Sequence, residues 1–103
     1  KQMVYTARNI KADEALRIGL VNAVYPLAEL YTAAEKLASQ IAANAPIAVR
    51  AAKKAINEGL DLPMDEAVVV EEKAFGSCFE TADQQEGMGA FLEKRKHEPF
   101  TNK

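Results

Sequence analysis

The chain has few of the residues that usually announce chemistry. Its single cysteine, Cys78, cannot close an internal disulfide, which fits a reducing compartment. A metal site needs several ligands, and the only histidine, His97, follows three cations in sequence without the partners to complete one. No apolar run approaches the roughly 18–20 residues that cross a bilayer, and no secretory pattern is present. The expectation is a soluble, cytoplasmic protein with no membrane partner. Neither sign of charge dominates: 13 Lys and Arg stand against 15 Asp and Glu, and a net charge of -2 gives no global attraction to nucleic acid. The glycine patterns of phosphate and dinucleotide loops and the H-E-x-x-H pattern of zinc hydrolases do not occur.

What is present is helix. At 103 residues, 49% hydrophobic and 27% charged, the chain is neither disordered nor membranous by composition, and is long enough for one small domain. Ala12–Ile18 reads as a short helix, with Gly19 where a left-handed C-terminal cap falls. Leu20–Tyr25 reads as a short strand because of its β-branched Val21 and Val24. Pro26 opens a long helix whose apolar stripe runs from Leu27 through Leu30, Ala34, Leu37 and Ile41. Pro46 starts another, alanine-rich on its apolar side and ended by Gly59; a further helix spans Met64 to Phe79. Val68, Val69 and Val70 point about 100° apart in a helix and cannot share one core, so this helix is expected to be covered on a second side by another subunit or by missing chain.

The terminal segment Thr81–Phe100 is the richest part. Thr81 with Gln84 three residues on forms a capping box, Asp83 and Glu86 suit the positive end of the helix, and Lys94-Arg95-Lys96 suit its negative end. Gly87 and Gly89 inside the helix suit close packing. Phe91 lies one turn before Lys94 and Arg95, hence on the same face, and an aromatic beside an ammonium and a guanidinium suits a phosphorylated adenosine. Elsewhere the candidates are bland. Glu71 lies alone on an apolar stripe between Val68 and Phe75, which favours a structural carboxylate over a catalytic acid. Cys78, with Phe75 and Phe79 beside it, reads as a small hydrophobe.

The order T-x-D-x-x-E-G-x-x-A-F-x-E-K-R-K…F over residues 81–100 resembles the C-terminal signature of the crotonase (enoyl-CoA hydratase/isomerase) superfamily. Ala12-Asp13-Glu14-Ala15 followed by Gly19-Leu20-Val21 is similar to a second family segment, and Ala45-Pro46-Ile47-Ala48 to a family helix start. Lys11 stands where the family often has a small hydroxyl residue, and Ala82 where it often has an acid.

The resemblance, closest to short-chain bacterial enoyl-CoA hydratases, implies a mainly helical C-terminal oligomerisation region, with the N-terminal β-spiral core absent. It implies reversible hydration of a 2-enoyl-CoA, as in fatty-acid or butanoate metabolism, with the coenzyme A thioester as substrate and no separate cofactor or metal. It implies assembly into trimers or hexamers. Phe91 and Lys94 match positions that contact coenzyme A from a neighbouring subunit, and Phe75 matches a position lining that shared site. No catalytic residue falls in the chain: the two glutamates and the glycine-rich oxyanion segment would precede Lys1, which is not an initiator methionine. The 103 residues read as a single region or fragment of a longer enzyme, inactive alone. The alternatives are a non-enzymatic helical association module and an enoyl-CoA isomerase of the same family.

Overall fold

The computed structural model describes residues 1–103, in six helices and no strand. The chain divides into two compact units, Lys1–Leu37 and Ala38–Lys103.

In the first unit, α1 (Gln2–Thr6) ends at Ala7 in a left-handed conformation, and α2 (Ala12–Arg17) follows. Lys11 caps α2 without a side-chain hydrogen bond, as its lack of a short oxygen-bearing side chain dictates. Arg8 holds Glu14 at 2.6 Å. Helix α2 closes in a Schellman turn: Gly19, at φ +74°, donates to the Leu16 carbonyl at 3.1 Å, and Leu20 donates to Ala15 at 2.9 Å. This turn overturns the expected strand at Leu20–Tyr25. The amides of Leu20 and Val21 both point back to the Ala15 carbonyl, at 2.9 and 3.4 Å, so its first residues cap a helix, and no strand exists here to pair with the rest.

Helix α3 (Leu27–Ala42) runs across the division between the units. The Pro26 carbonyl accepts from Glu29 and Leu30, at 2.9 and 3.0 Å, so the proline stands immediately before the first helical residue. No residue of α3 is buried.

The second unit contains α4 (Pro46–Gly59), α5 (Met64–Cys78) and α6 (Ala82–Leu92). Pro46 takes the first helical position of α4, where its missing N–H leaves nothing unpaired. Helices α4 and α5 form a tight hairpin across Leu60–Pro63. At its neck a Cβ on Gly59 would stand 3.3 Å from the Ala67 Cβ, so hydrogen in place of a methyl group sets the approach. Val68 lies over the α4–α5 groove, Val70 is half-buried and Val69 is exposed. Within this unit only Ala90 and Asp83 are buried. The largest buried side chain is therefore a carboxylate.

Candidate functional site

Helix α6 and the residues after it hold the densest polar network of the chain. Thr81 Oγ1 accepts from the Gln84 amide at 3.1 Å, the first half of the expected capping box. The second half is replaced: the Thr81 amide bonds the Cys78 carbonyl at 3.1 Å and leaves nothing for the Gln84 side chain. Asp83, 2% exposed, accepts from the Thr101 amide at 2.6 Å, the Thr101 hydroxyl at 3.1 Å and the Asn102 amide at 2.9 Å. In return the Lys103 carbonyl accepts from the Ala82 amide at 2.8 Å. Arg50 of α4 donates to Asn102 Oδ1 at 2.6 Å. The last residues thus fold back as a strap on the N-terminus of α6. Burial alone would push the Asp83 carboxyl up; the Thr101 and Asn102 bonds outweigh it and hold the group below its ordinary value.

Glu86, the next acid of the pattern, receives Arg95 through its two terminal guanidinium nitrogens, Nη1 and Nη2, at 2.6 and 3.1 Å, and the Glu98 amide at 2.8 Å. The Arg95 bonds, seconded by Glu98, lower its carboxyl to about 2. Arg95 also reaches Glu93 at 2.6 Å, and the two carboxylates raise its own proton affinity further. Phe100 is half-buried, stacks on His97 with ring centroids 4.3 Å apart, and lies where a Cβ on Gly87 would meet it at 3.7 Å. Much of the 81–100 pattern is therefore explained by the strap: Thr81 caps, Asp83 and Glu86 anchor, and Phe100 packs over Gly87, where a Cβ would make only ordinary contact.

The side chains of Phe91, Lys94 and Lys96 stay outside that network. Phe91 is 77% exposed. Lys94 is exposed and forms no ion pair. Their shared helical face does not survive: α6 stops at Leu92, and Lys94 stands beyond its end in a left-handed conformation, φ 54°. The three-residue spacing therefore no longer fixes their relation. The cation cluster is also smaller than its sequence suggests, because Arg95 is spent on Glu86 and Glu93.

The third candidate, Phe75, lies on α5, meets Phe79 edge-on at 5.2 Å and lines a groove of about 570 Å³ between α4 and α5. Alanines of both helices form its floor, and Glu71 is its one charged wall residue. Cys78 lies half-buried at one end and donates weakly to the Ala74 carbonyl at 3.4 Å. No three His, Cys, Asp or Glu side chains come close enough to hold a metal ion. No helix is long and apolar enough to cross a membrane.

Reading the sequence missed the roles of Asp83 and Glu86, which it assigned to the helix dipole. The signal that could have exposed Asp83 is the hydrogen-bonding pair Thr101-Asn102 near the other end of the segment.

Comparison with known proteins agrees with this local architecture. The family model described as enoyl-CoA hydratase/isomerase matches residues 1–103. A short-chain enoyl-CoA hydratase of Clostridium acetobutylicum is 53% identical over 103 residues, covering 100% of this chain and 40% of its own. A crotonyl-CoA hydratase of Syntrophomonas wolfei is 53% identical over 96 residues, 93% of this chain and 37% of its own. The crystal structure of an enoyl-CoA hydratase from Bacillus anthracis superposes with a TM-score of 0.91 at 39% identity, covering 100% of this chain and 40% of that one. The chain thus spans about two-fifths of the length of the relatives it matches. With its family model matched from end to end, the chain belongs to the enoyl-CoA hydratase/isomerase family, the crotonase superfamily.

Proposed function

We propose that this chain is the helical C-terminal part of a short-chain enoyl-CoA hydratase, contributing to assembly and to holding coenzyme A rather than to bond making. The carrying observation is identity of 53%, sustained over all 103 residues, with a protein named for that reaction. The reaction adds water across the double bond of a 2-enoyl thioester. On the family's pattern, backbone N–H groups hold the developing thioester oxyanion while two carboxylates manage the proton of the water. Both lie outside these residues, so the 103-residue chain alone hydrates nothing. No ordered cluster of acids here could substitute; Asp83 and Glu86 already serve as anchors.

For this chain the role is binding. Lys94 offers an ammonium unclaimed by any carboxylate, and Phe91 a ring with most of its surface in solvent. A flexible ammonium suits a phosphate, and an exposed ring suits the face of an adenine. Phe75 provides an aromatic wall at the α4–α5 groove. The partners are an acyl-CoA and further copies of the same chain in a trimer or hexamer, in which Phe91 and Lys94 serve a neighbour's active site. The setting is cytoplasmic.

The test is a titration of the full-length protein with coenzyme A, before and after Lys94→Ala. Loss of one charge-assisted bond weakens binding about tenfold. KM for a short 2-enoyl-CoA rises while kcat stays near its original value, because an adenosine contact is the same in ground and transition states. Unchanged affinity removes Lys94 from the site.

A further inference from the structure

The unusual feature of Lys94 is its backbone. It adopts φ 54°, in the left-handed region that suits glycine and is costly for a side chain with a Cβ. The turn around it is a Schellman motif: the Lys94 amide donates to the Phe91 carbonyl at 3.2 Å and the Arg95 amide to Ala90 at 3.0 Å. The same chain builds the same turn at the end of α2, and there the left-handed position is Gly19. Backbone geometry alone therefore does not call for lysine at residue 94. A strained residue persists only where its surroundings over-determine it, and here they do. Arg95, the next residue, is gripped by Glu86 through two bonds, at 2.6 and 3.1 Å, and by Glu93, the preceding residue, at 2.6 Å. Glu86 also takes the Glu98 amide at 2.8 Å, fixing the far side of the loop.

We propose that Glu86 is a positioning residue for phosphate recognition: by clamping Arg95 and the Glu98 amide it locks the strained turn that presents the Lys94 ammonium to the ligand. The clamp does a second thing. It neutralises Arg95, so that the guanidinium between Lys94 and Lys96 is withheld from the ligand. The inference rests on Lys94 binding the phosphates of coenzyme A, as argued above, and adds how its aim is fixed.

Electrostatics and positioning predict opposite signs for one substitution. Glu86→Gln removes a negative charge near an anion site and releases Arg95, so long-range attraction alone would tighten binding of coenzyme A. Loss of the clamp lets the turn relax and weakens it. We expect Glu86→Gln in the full-length protein to weaken binding about tenfold, and to raise KM with kcat little changed. In a Lys94→Ala background it should cause no further loss, since the clamp acts only through Lys94. Arg95→Lys keeps the charge but loses the forked grip, and carries the same expectation should Glu86→Gln fail to fold. Unchanged or tighter binding in Glu86→Gln, with Lys94→Ala still weakened, overturns the clamp and leaves the Lys94 site standing. Equal losses in both backgrounds mean general damage to the fold and also overturn it. If Lys94→Ala itself binds normally, the Lys94 reading fails and the clamp has no phosphate to serve.

Discussion

At the scale of single residues, the C-terminal pattern separates by what each side chain touches. Thr81, Asp83, Glu86, Gly87 and Phe100 are consumed by contacts within the chain, whereas Phe91 and Lys94 are not. Conflict between local preference and observed conformation is expected where function, not stability, selects the residue. On the binding role proposed above Lys94 is such a place, and this yields a prediction of opposite signs. Lys94→Gly removes the left-handed penalty and should raise stability by about 1 kcal/mol, as glycine does at a helix C′ position. It also removes the ammonium, so affinity for coenzyme A should fall as it does for Lys94→Ala. Thermal unfolding and a ligand titration on the same preparation check both arms. A variant that is both less stable and a weaker binder would mean the turn is not strained.

At the scale of elements, five of the six helices were legible in the sequence, whereas the short α1 and the polar closure were not. Pro46, the alanine face of α4 and the Thr81 cap all announce their helices through local chemistry, because a first-turn proline or a capping hydroxyl acts within a few residues. The strap does not, because Asp83 meets its partners 18 and 19 residues away and no periodicity encodes that return. The false strand at Leu20–Tyr25 has the related cause that β-propensity needs a neighbour to be realised. For the candidate site, the sequence offers Phe75, Phe91 and Lys94 as proposals but not their spatial relation. It depended on α6 continuing to Lys94, and the helix stops at Leu92. The strap makes a further prediction, on acidity. Asp83 and Glu86 both have carboxyls held below their ordinary values by the strap and its neighbouring loop. A carboxylate depressed in the folded state stabilises it fully above its unfolded value and loses that contribution as pH falls through the folded one. For Glu86 the window runs from 4.5 down to about 2. Amide exchange at Glu98, Thr101 and Asn102, corrected for the intrinsic effect of pH, should lose protection across this acidic range and hold steady near neutrality. Glu86→Gln should remove that acid dependence at Glu98, and Asp83→Asn should remove it at Thr101 and Asn102. Protection at Glu98 that falls with the same profile in Glu86→Gln would show another group to be responsible.

At the scale of the whole molecule, the question is what covers the apolar surface. Val68, Phe75, Phe79, Met88, Phe91 and Leu92 of the second unit are each 43% to 77% exposed, and its buried residues are one alanine and one aspartate. Burial of an aliphatic or aromatic side chain contributes about 1.5–3 kcal/mol, so six such residues left in water forgo a sum comparable to the whole stability of a small domain. Surfaces of this kind mark contacts with other protein, and the relatives, two and a half times as long, have chain enough to provide them. Prepared by itself, the 103-residue chain should therefore not persist as a compact monomer. It should associate at micromolar concentration in sedimentation, or, where forced apart by dilution, bind an exposed-surface dye. On the assembly proposed above, the full-length protein should bind no dye and sediment as one discrete oligomer at the same concentration, with the remaining chain and neighbouring copies over the α4–α5 groove and the face bearing Phe79. A substitution separates specific packing from mere stickiness. Phe75→Asp places a charge in the apolar wall beside Glu71 and should reduce association of the isolated chain sharply, because an unpaired carboxylate is costly to desolvate. Glu66→Lys on the exposed, charged start of α5 should not. Equal association in both variants would indicate nonspecific aggregation, and a clean monomer of the unaltered chain with no dye binding would show that these helices are sufficient as they stand.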